Sequence, residues 1–306
     1  MGVKNATGRM GRVERLRIGL VGAGPWARGV HARGLAAHPG VEFAGVWTRR
    51  PEPGRALAAE HGTRAYETFD ALLAEVDAVA FAVPPQVQGE LAARAAKAGR
   101  HLILDKPLAE SLAAAERAAE AIAAAGVVST TMFTLRFHPP VEEFLAGFSG
   151  PADASTTGSA RWLSGALLGG PYAASPWRAE RGALLDIGPH LVDLLDAALG
   201  TVVAVDWAHR EDPDLWRVGL SHVGGATSTL VMSLTLPVDP TEMELTAYGS
   251  VGRHRLTERP ADPWVGYGRL LDALLADVAA GRTDGPRSAA RSLHVQRVLA
   301  WAEELV

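Results

Sequence analysis

The chain has 306 residues, enough for about two domains, and is 48% hydrophobic and 21% charged, as expected of a soluble globular protein. Its formal net charge of −4 gives no electrostatic reason to expect nucleic acid or an anionic membrane as a partner. Without cysteine, disulfides and thiolate catalysis are excluded; no metal site is expected, and no uncharged apolar run reaches the about 18 residues that a membrane span needs.

In chain order, Met1 to Glu14 is polar and basic with no apolar centre. It is expected to be a loose tail, not a signal peptide, with Met10 a second possible start and the cytoplasm the expected location. Arg17 to Val21 then reads as a strand running into Gly22-Ala-Gly-Pro25-Trp26-Ala27 and a helix through His31 to Ala37. Strand, glycine turn and helix follow in the order that a dinucleotide-binding unit requires. Gly22 permits the tight turn, Gly24 lets a pyrophosphate approach the backbone, and Ala27 is small enough for close packing of helix on strand.

A second strand, Val41 to Trp47, ends in Thr48-Arg49-Arg50, where an acid would hold the ribose 2′-hydroxyl of NAD. A hydroxyl and two guanidiniums suit a 2′-phosphate better, so NADP is the expected cofactor and NAD the second choice. Helices over Pro53 to His61 and Thr68 to Glu75 lead to the strand Ala78 to Val83 and its terminal Pro84-Pro85. The helix Val87 to Ala98, the strand Arg100 to Leu104, the helix Glu110 to Ala125 and the run Val127 to Phe133 continue the alternation. Such β/α alternation predicts an α/β Rossmann domain, a doubly wound parallel sheet, over residues 15–134.

Of 30 basic residues only three are lysine, namely Lys4, Lys97 and Lys106. Lys4 lies in the tail and Lys97 on an alanine-rich helix, whereas Lys106 stands at the carboxyl end of a strand. Lysine changes its proton affinity with its surroundings as arginine does not, which singles out Lys106.

From Thr134 the pattern changes. A helix near Val141 to Ala146 and a strand Ser155 to Leu163 lead into a loop rich in Gly, Pro and Ser, Ser164 to Pro176. Next comes Gly182-Ala-Leu-Leu-Asp186-Ile-Gly-Pro-His190-Leu-Val-Asp193, read as one helix starting near Leu185 and ending at Gly200. Helical spacing would stack Asp186, His190 and Asp193 on one face. Strand-like segments at 202–209, 216–223, 227–236, 242–248 and 254–257 then follow one another without helices. Helices over Trp264 to Ala280 and Arg287 to Leu305 end the chain. Residues 135–306 are therefore expected to form an α+β domain with a mainly antiparallel sheet.

With these motifs in hand, the chain resembles the Gfo/Idh/MocA family, which includes glucose-fructose oxidoreductase and inositol dehydrogenases. Four features carry the resemblance: Gly22-Ala-Gly with the following His31, Pro84-Pro85, Lys106-Pro107, and Trp177-Arg178 leading to Asp186-x-Gly188-x-His190-x-x-Asp193. They span Leu16 to Gly200; the remainder matches by layout only. Three positions depart from the family pattern: Asp105 stands where glutamate is usual, Gln88 where histidine is frequent, and Arg181-Gly182 where two or three glycines are usual.

The resemblance implies an NAD(P)-dependent oxidoreductase acting on a sugar, polyol or related small molecule, working as a homodimer or homotetramer. It also admits a glycosidase that oxidises and re-reduces a sugar transiently, and a dinucleotide-binding regulator. It implies Lys106, His190 and Asp186 as catalytic residues, and Trp177, Arg178, Asp186 and His190 at the substrate. Gly22, Gly24, Pro25, Trp26, Ala27, Thr48, Arg49, Arg50, Pro84, Pro85 and Lys106 would hold the cofactor. The chemistry agrees: alcohol oxidation needs a base at the hydroxyl and a cation beside the developing alkoxide. An imidazole with an unperturbed pKa of about 6.5 can take that proton at neutral pH. Asp193 is expected to support the site from behind, as is an aromatic such as Trp162 from its wall.

Overall fold

The apolar run after the N-terminal segment forms strand β1 (Leu16–Val21), an inner strand of the first sheet. The computed structural model describes residues 15–148, 152–153, 155–169, 173, 176–250, 252–257 and 263–306. The expected N-terminal tail and parts of the 164–176 loop lie outside these residues.

A π-helical turn, Ala27–Ala32, feeds helix α1 (Arg33–Ala37) and returns the chain to β2 (Val41–Trp47). Helix α2 (Pro51–Glu60) starts on a proline, which loses no hydrogen bond in the first turn. Helix α3 (Phe69–Glu75) is capped by Thr68, whose hydroxyl accepts from the Ala71 amide at 3.1 Å. Strand β3 (Ala78–Phe81), helix α4 (Pro85–Lys97), strand β4 (His101–Leu104), helix α5 (Leu112–Ala125) and strand β5 (Ser129–Thr131) complete the unit. All five strands are parallel, in the order β2-β1-β3-β4-β5. The order reverses beside β1, and ligands of such sheets lie at that point, beyond the carboxyl ends of the strands.

Alternation along the strands gives the sheet two separate cores, because successive side chains point to opposite faces. Ile18, Leu20, Ala78, Ala80 and Ile103 face one way, while Val21, Val79, Phe81, Leu102 and Leu104 face the other, against α3, α4 and α5.

Beyond a 3₁₀ turn, Thr134–Phe137, come α6 (Pro139–Ala146), β6 (Thr157–Leu163), α7 (Pro176–Asp186) and α8 (Gly188–Leu199). Strands β7 (Val202–Glu211), β8 (Leu215–His222), β9 (Thr227–Ser233), β10 (Glu242–Gly249) and β11 (Gly252–Leu256) follow, then α9 (Pro263–Ala280) and α10 (Ala289–Glu303). The second sheet has the order β11-β10-β6-β9-β8-β7. It is antiparallel except where β6 runs parallel to β9, from Thr157 opposite Thr227 to Leu163 opposite Ser233.

One face of this sheet, including Ala160, Trp162, Val218, Leu230 and Met232, packs on Leu191 and Leu195 of α8 and Val298 and Leu299 of α10. The opposite face is polar, with Thr157, Thr227 and Thr229 exposed and ion pairs from Arg161 to Glu242 and from Arg255 to Glu244. Helix α9 leaves this sheet and covers the first one, burying Tyr267, Leu270, Leu271 and Leu274 in the core of Ile18 and Leu20.

The 182–193 stretch differs from the single helix expected of it. Helix α7 ends at Asp186 and α8 begins at Gly188, with Ile187 between them and Pro189 in the first turn. Proline has no amide to extend the ladder of α7, and it constrains the residue before it. Helix α7 is itself kinked at Gly182, whose φ of 60° and ψ of −155° only glycine adopts readily. Asp186 and His190 thus belong to different helices, and no continuous face carries Asp186, His190 and Asp193.

Candidate active site

The carboxyl edge of the first sheet carries the glycine turn. Gly22 has φ 121°, its amide donates to the Trp47 carbonyl at 3.1 Å, and a Cβ there would collide with the Ala82 carbonyl oxygen. Gly22 is thereby the residue that lets β1, β2 and β3 converge. A Cβ on Gly24 would meet open space, which leaves the backbone accessible from outside. Ala27 is buried, and the Arg28 amide donates to the Gly24 carbonyl at 3.0 Å to start the helical turn. Pro25 is exposed at the tip and Trp26 turns inward to a cavity described below.

At the end of β2 the Thr48 hydroxyl donates to the Arg50 carbonyl at 2.6 Å, and Arg49 and Arg50 are exposed. At the end of β3, Pro84 precedes α4 and Pro85 occupies its first turn. An open glycine backbone at a helix start, flanked by exposed guanidiniums, fits the phosphates of a dinucleotide.

Lys106 is set by the loop after β4, and that loop is gripped by Gln88. The Gln88 side chain is fully buried and accepts from the Asp105 amide at 2.8 Å. Its own amide donates to the carbonyls of Asp105, Pro107 and Leu108 at 2.7, 3.2 and 3.1 Å. One side chain on α4 therefore satisfies most of the backbone around Lys106, which a chain bend buried away from water requires. The Lys106 amide donates to Asp105 Oδ1 at 2.8 Å, and burial pushes the Asp105 carboxyl above the usual carboxylate range despite the neighbouring Lys106.

Lys106 Nζ donates to Asp186 Oδ1 at 2.8 Å and to the Asp186 main-chain oxygen at 2.5 Å. Arg178 Nε donates to the other carboxylate oxygen at 3.1 Å, and its guanidinium lies 4.7 Å above the Trp177 ring. Burial resists ionisation of Asp186, but the charges of Lys106 and Arg178 outweigh it and hold the carboxyl below its usual range. His190, in the first turn of α8, stacks on Trp162 of β6 with ring centroids 6.0 Å apart and planes at 23°.

Lys106, Arg178, Asp186, His190 and Trp162 line one cavity of about 460 Å3, with Trp26 and Asp105 also on its wall. An ammonium held by a carboxylate, an imidazole and a mixed apolar and polar wall thus meet beside the carboxyl edge of the Rossmann sheet. Such a set can stabilise an alkoxide and move a proton. Trp177 is not on the cavity wall; it underlies Arg178. Arg181 turns away to Glu303 on α10, at 3.5 Å. Asp193 is buried and paired with Arg136 at 2.7 Å and Arg291 at 3.1 Å, behind the cavity.

The remaining wall escaped sequence reading. Thr134, Leu135 and His138 come from the 3₁₀ turn and its exit, Ser164 and Leu167 from the loop after β6, and Leu234 and Thr241 from around β9 and β10. Single polar residues in loops carry no periodicity; His138 before Pro139-Pro140 was the one local signal available.

Residues 16–133 match the family model described as the oxidoreductase family with an NAD-binding Rossmann fold, Gfo/Idh/MocA. That match lies within the dinucleotide-binding half of the chain. A dTDP-3,4-didehydro-2,6-dideoxy-alpha-D-glucose 3-reductase of Streptomyces violaceoruber is 31% identical over 63% of this chain and 57% of that protein. A UDP-N-acetylglucosamine 3-dehydrogenase of Acidithiobacillus ferrooxidans is 33% identical over 44% of this chain and 43% of its own length. The chain thus spans about half the length of these curated relatives. Among solved structures, GenD2 from gentamicin A biosynthesis in complex with NAD superposes with a TM-score of 0.81 at 23% identity, covering 95% of this chain and 94% of GenD2. That likeness shows the fold over nearly the whole chain, including the second sheet.

Proposed function

We propose that the protein is an NAD(P)-dependent oxidoreductase that transfers a hydride between a nicotinamide and a hydroxyl or keto carbon of a sugar, polyol or related small molecule. The observation that carries this is the Lys106–Asp186 clamp on the wall of a cavity that also holds His190. The names of the curated relatives, reductases and dehydrogenases of nucleotide-linked sugars, support the same reaction class.

In this reading Gly22, Gly24, Pro25, Trp26, Ala27, Pro84 and Pro85 hold the dinucleotide at the sheet edge, with Lys106 at its inner end. The bound nicotinamide supplies the hydride acceptor or donor. His190 takes the hydroxyl proton on oxidation or returns it on reduction, and Lys106 stabilises negative charge on the substrate oxygen. Asp186 holds Lys106 in place, while Arg178, with Trp177 beneath it, shapes the substrate end. Exposed Arg49 and Arg50 favour NADP over NAD, since neither is spent on an ion pair among the described residues.

The open face of the second sheet, with Trp207 and Tyr248 42% and 48% exposed, supports a homodimer. Absorbance of the nicotinamide at its reduced-form band, screened over polyols, sugars and their keto forms, tests the reaction. Sugar release without net absorbance change would instead indicate transient oxidation, and binding without either would indicate a regulator.

A further inference from the structure

One buried carboxylate outside the cavity has no part in the reaction just described. Asp214 ends the turn between β7 and β8 and is only 5% exposed. Both of its oxygens accept from the Ala183 amide at 3.0 Å, and Oδ2 also accepts from the Leu234 amide at 3.2 Å. It reaches these amides because α7 is kinked at Gly182, where a Cβ would collide with Asp214 Oδ1. The carboxylate therefore sits in the kink and caps the helical segment that restarts at Ala183, as an N-cap residue does, but from the distant turn between β7 and β8.

The segment so capped is short and ends at Asp186, whose carboxylate and main-chain oxygen both receive Lys106 Nζ. A helical turn of this length does not hold itself, because nucleation outweighs the few hydrogen bonds gained. The second amide that Asp214 binds belongs to Leu234, itself on the cavity wall. Its hydrogen bonds to the Ala183 and Leu234 amides thus reach two segments that carry cavity residues, Ala183–Asp186 and Leu234.

We propose that Asp214 is a positioning residue for Asp186: by capping Ala183 in the Gly182 kink it sets where α7 ends and so holds Asp186 against Lys106 and Arg178. The proposal rests on the catalytic reading of Lys106 and Asp186 given above. Burial raises the Asp214 carboxyl above the ordinary range, with the Ala183 and Leu234 amides opposing that rise, as expected of a carboxylate kept inside for its hydrogen bonds.

The test uses the full-length protein with cofactor present and three variants: Asp214→Ala, Asp214→Asn and the double variant Asp186→Asn/Asp214→Ala. Asp214→Ala is expected to lower kcat about tenfold or more with substrate KM and cofactor Kd within about threefold. Asn keeps one acceptor oxygen, so Asp214→Asn should recover part of the loss and cover the case in which the alanine variant fails to fold. If Asp214 acts through Asp186, the double variant is no slower than Asp186→Asn alone.

Carbon-detected NMR titration of the Asp186 carboxyl gives a readout that needs no turnover. Loosening the clamp in Asp214→Ala or Asp214→Asn should move its pKa up toward the ordinary carboxylate value. Additive losses in the double variant, or an Asp186 titration identical in wild type and both Asp214 variants, would overturn the proposal. Absence of turnover in the wild type with every sugar and polyol would count against the proposed reaction, and the titration would still decide the role of Asp214.

Discussion

Lys106 and Asp186, 80 positions apart, meet twice: Nζ binds the Asp186 carboxylate at 2.8 Å and the Asp186 main-chain oxygen at 2.5 Å. The second bond matters because Asp186 is the last residue of α7, where carbonyls lack intrahelical partners and the helix dipole favours a cation. A strand end of one sheet is thereby locked to a helix end that packs on the other.

Replacing Lys106 with alanine removes the cation while leaving the glycine turn intact. Turnover should fall by about a hundredfold to a thousandfold or more, with cofactor affinity changed by less than about threefold. Arginine should not rescue it, since a planar guanidinium cannot make both bonds in the space of an ammonium. Steady-state kinetics and fluorescence titration of the reduced cofactor check this; turnover at the wild-type rate in Lys106→Ala would remove the residue from the mechanism.

The proposed cofactor choice rests on Arg49 and Arg50 at the end of β2. Wild type should bind NADPH more tightly than NADH, and Arg49→Ala/Arg50→Ala should weaken NADPH about tenfold while leaving NADH nearly unchanged. Parallel titrations with the two cofactors measure it. A clear preference for NADH in the wild type would refute the assignment of Arg49 and Arg50 to a 2′-phosphate.

Asp193 ties α8 to the 3₁₀ turn and to α10 at the back of the site. Its carboxylate meets Arg136 from the 3₁₀ turn and Arg291 from α10, and its carbonyl also accepts from Arg291 at 3.0 Å. Removing one partner of a buried ion pair strands the other charge, so Asp193→Ala should cost about 3 to 5 kcal/mol of unfolding free energy. Denaturant melts of both proteins test the value; a change below about 1 kcal/mol would contradict it.

His31 makes the fold acid-sensitive. It is fully buried beside the Tyr267 ring, with centroids 4.9 Å apart, and burial lowers its pKa from 6.5 to about 3. The unfolded chain binds a proton below about pH 6.5 that the folded chain refuses, so stability is complete above that pH and lost as pH falls toward 3. The loss approaches about 1.4 kcal/mol per pH unit within the window. The similarly sized His31→Leu should flatten this part of the stability profile, and equal slopes for the two proteins between pH 6 and pH 4 would rule the effect out.

The sequence by itself determined the five strands of the first sheet and several of their ends, while the strands expected at 78–83 and 127–133 are shorter, Ala78–Phe81 and Ser129–Thr131. Val41–Trp47 appears with both expected ends, and the strand starting at Ala78 and the helix ending at Ala125 keep those boundaries. These are local effects: buried parallel strands are continuous apolar runs, and their helices carry their own caps, as Thr68 and Ser111 do. The residue types of the site were legible for the same reason, since a rare lysine after a strand and an Asp186-x-Gly-x-His190 run stand out one at a time.

What only the tertiary structure decided is how those residues meet. Asp186 and His190 were expected on one helix, but Pro189 divides them and Gly182 bends α7, because a glycine there admits Asp214 from the turn between β7 and β8. The grip of Gln88 on the Lys106 loop, the turn of Arg181 toward Glu303, and the cavity walls at Thr134, His138 and Leu234 depend equally on partners far along the chain. No spacing rule reports such contacts, because hydrogen bonds between distant segments leave no period in the sequence. The tertiary fold alone brings a carboxylate at the end of α7 to an ammonium at the end of β4.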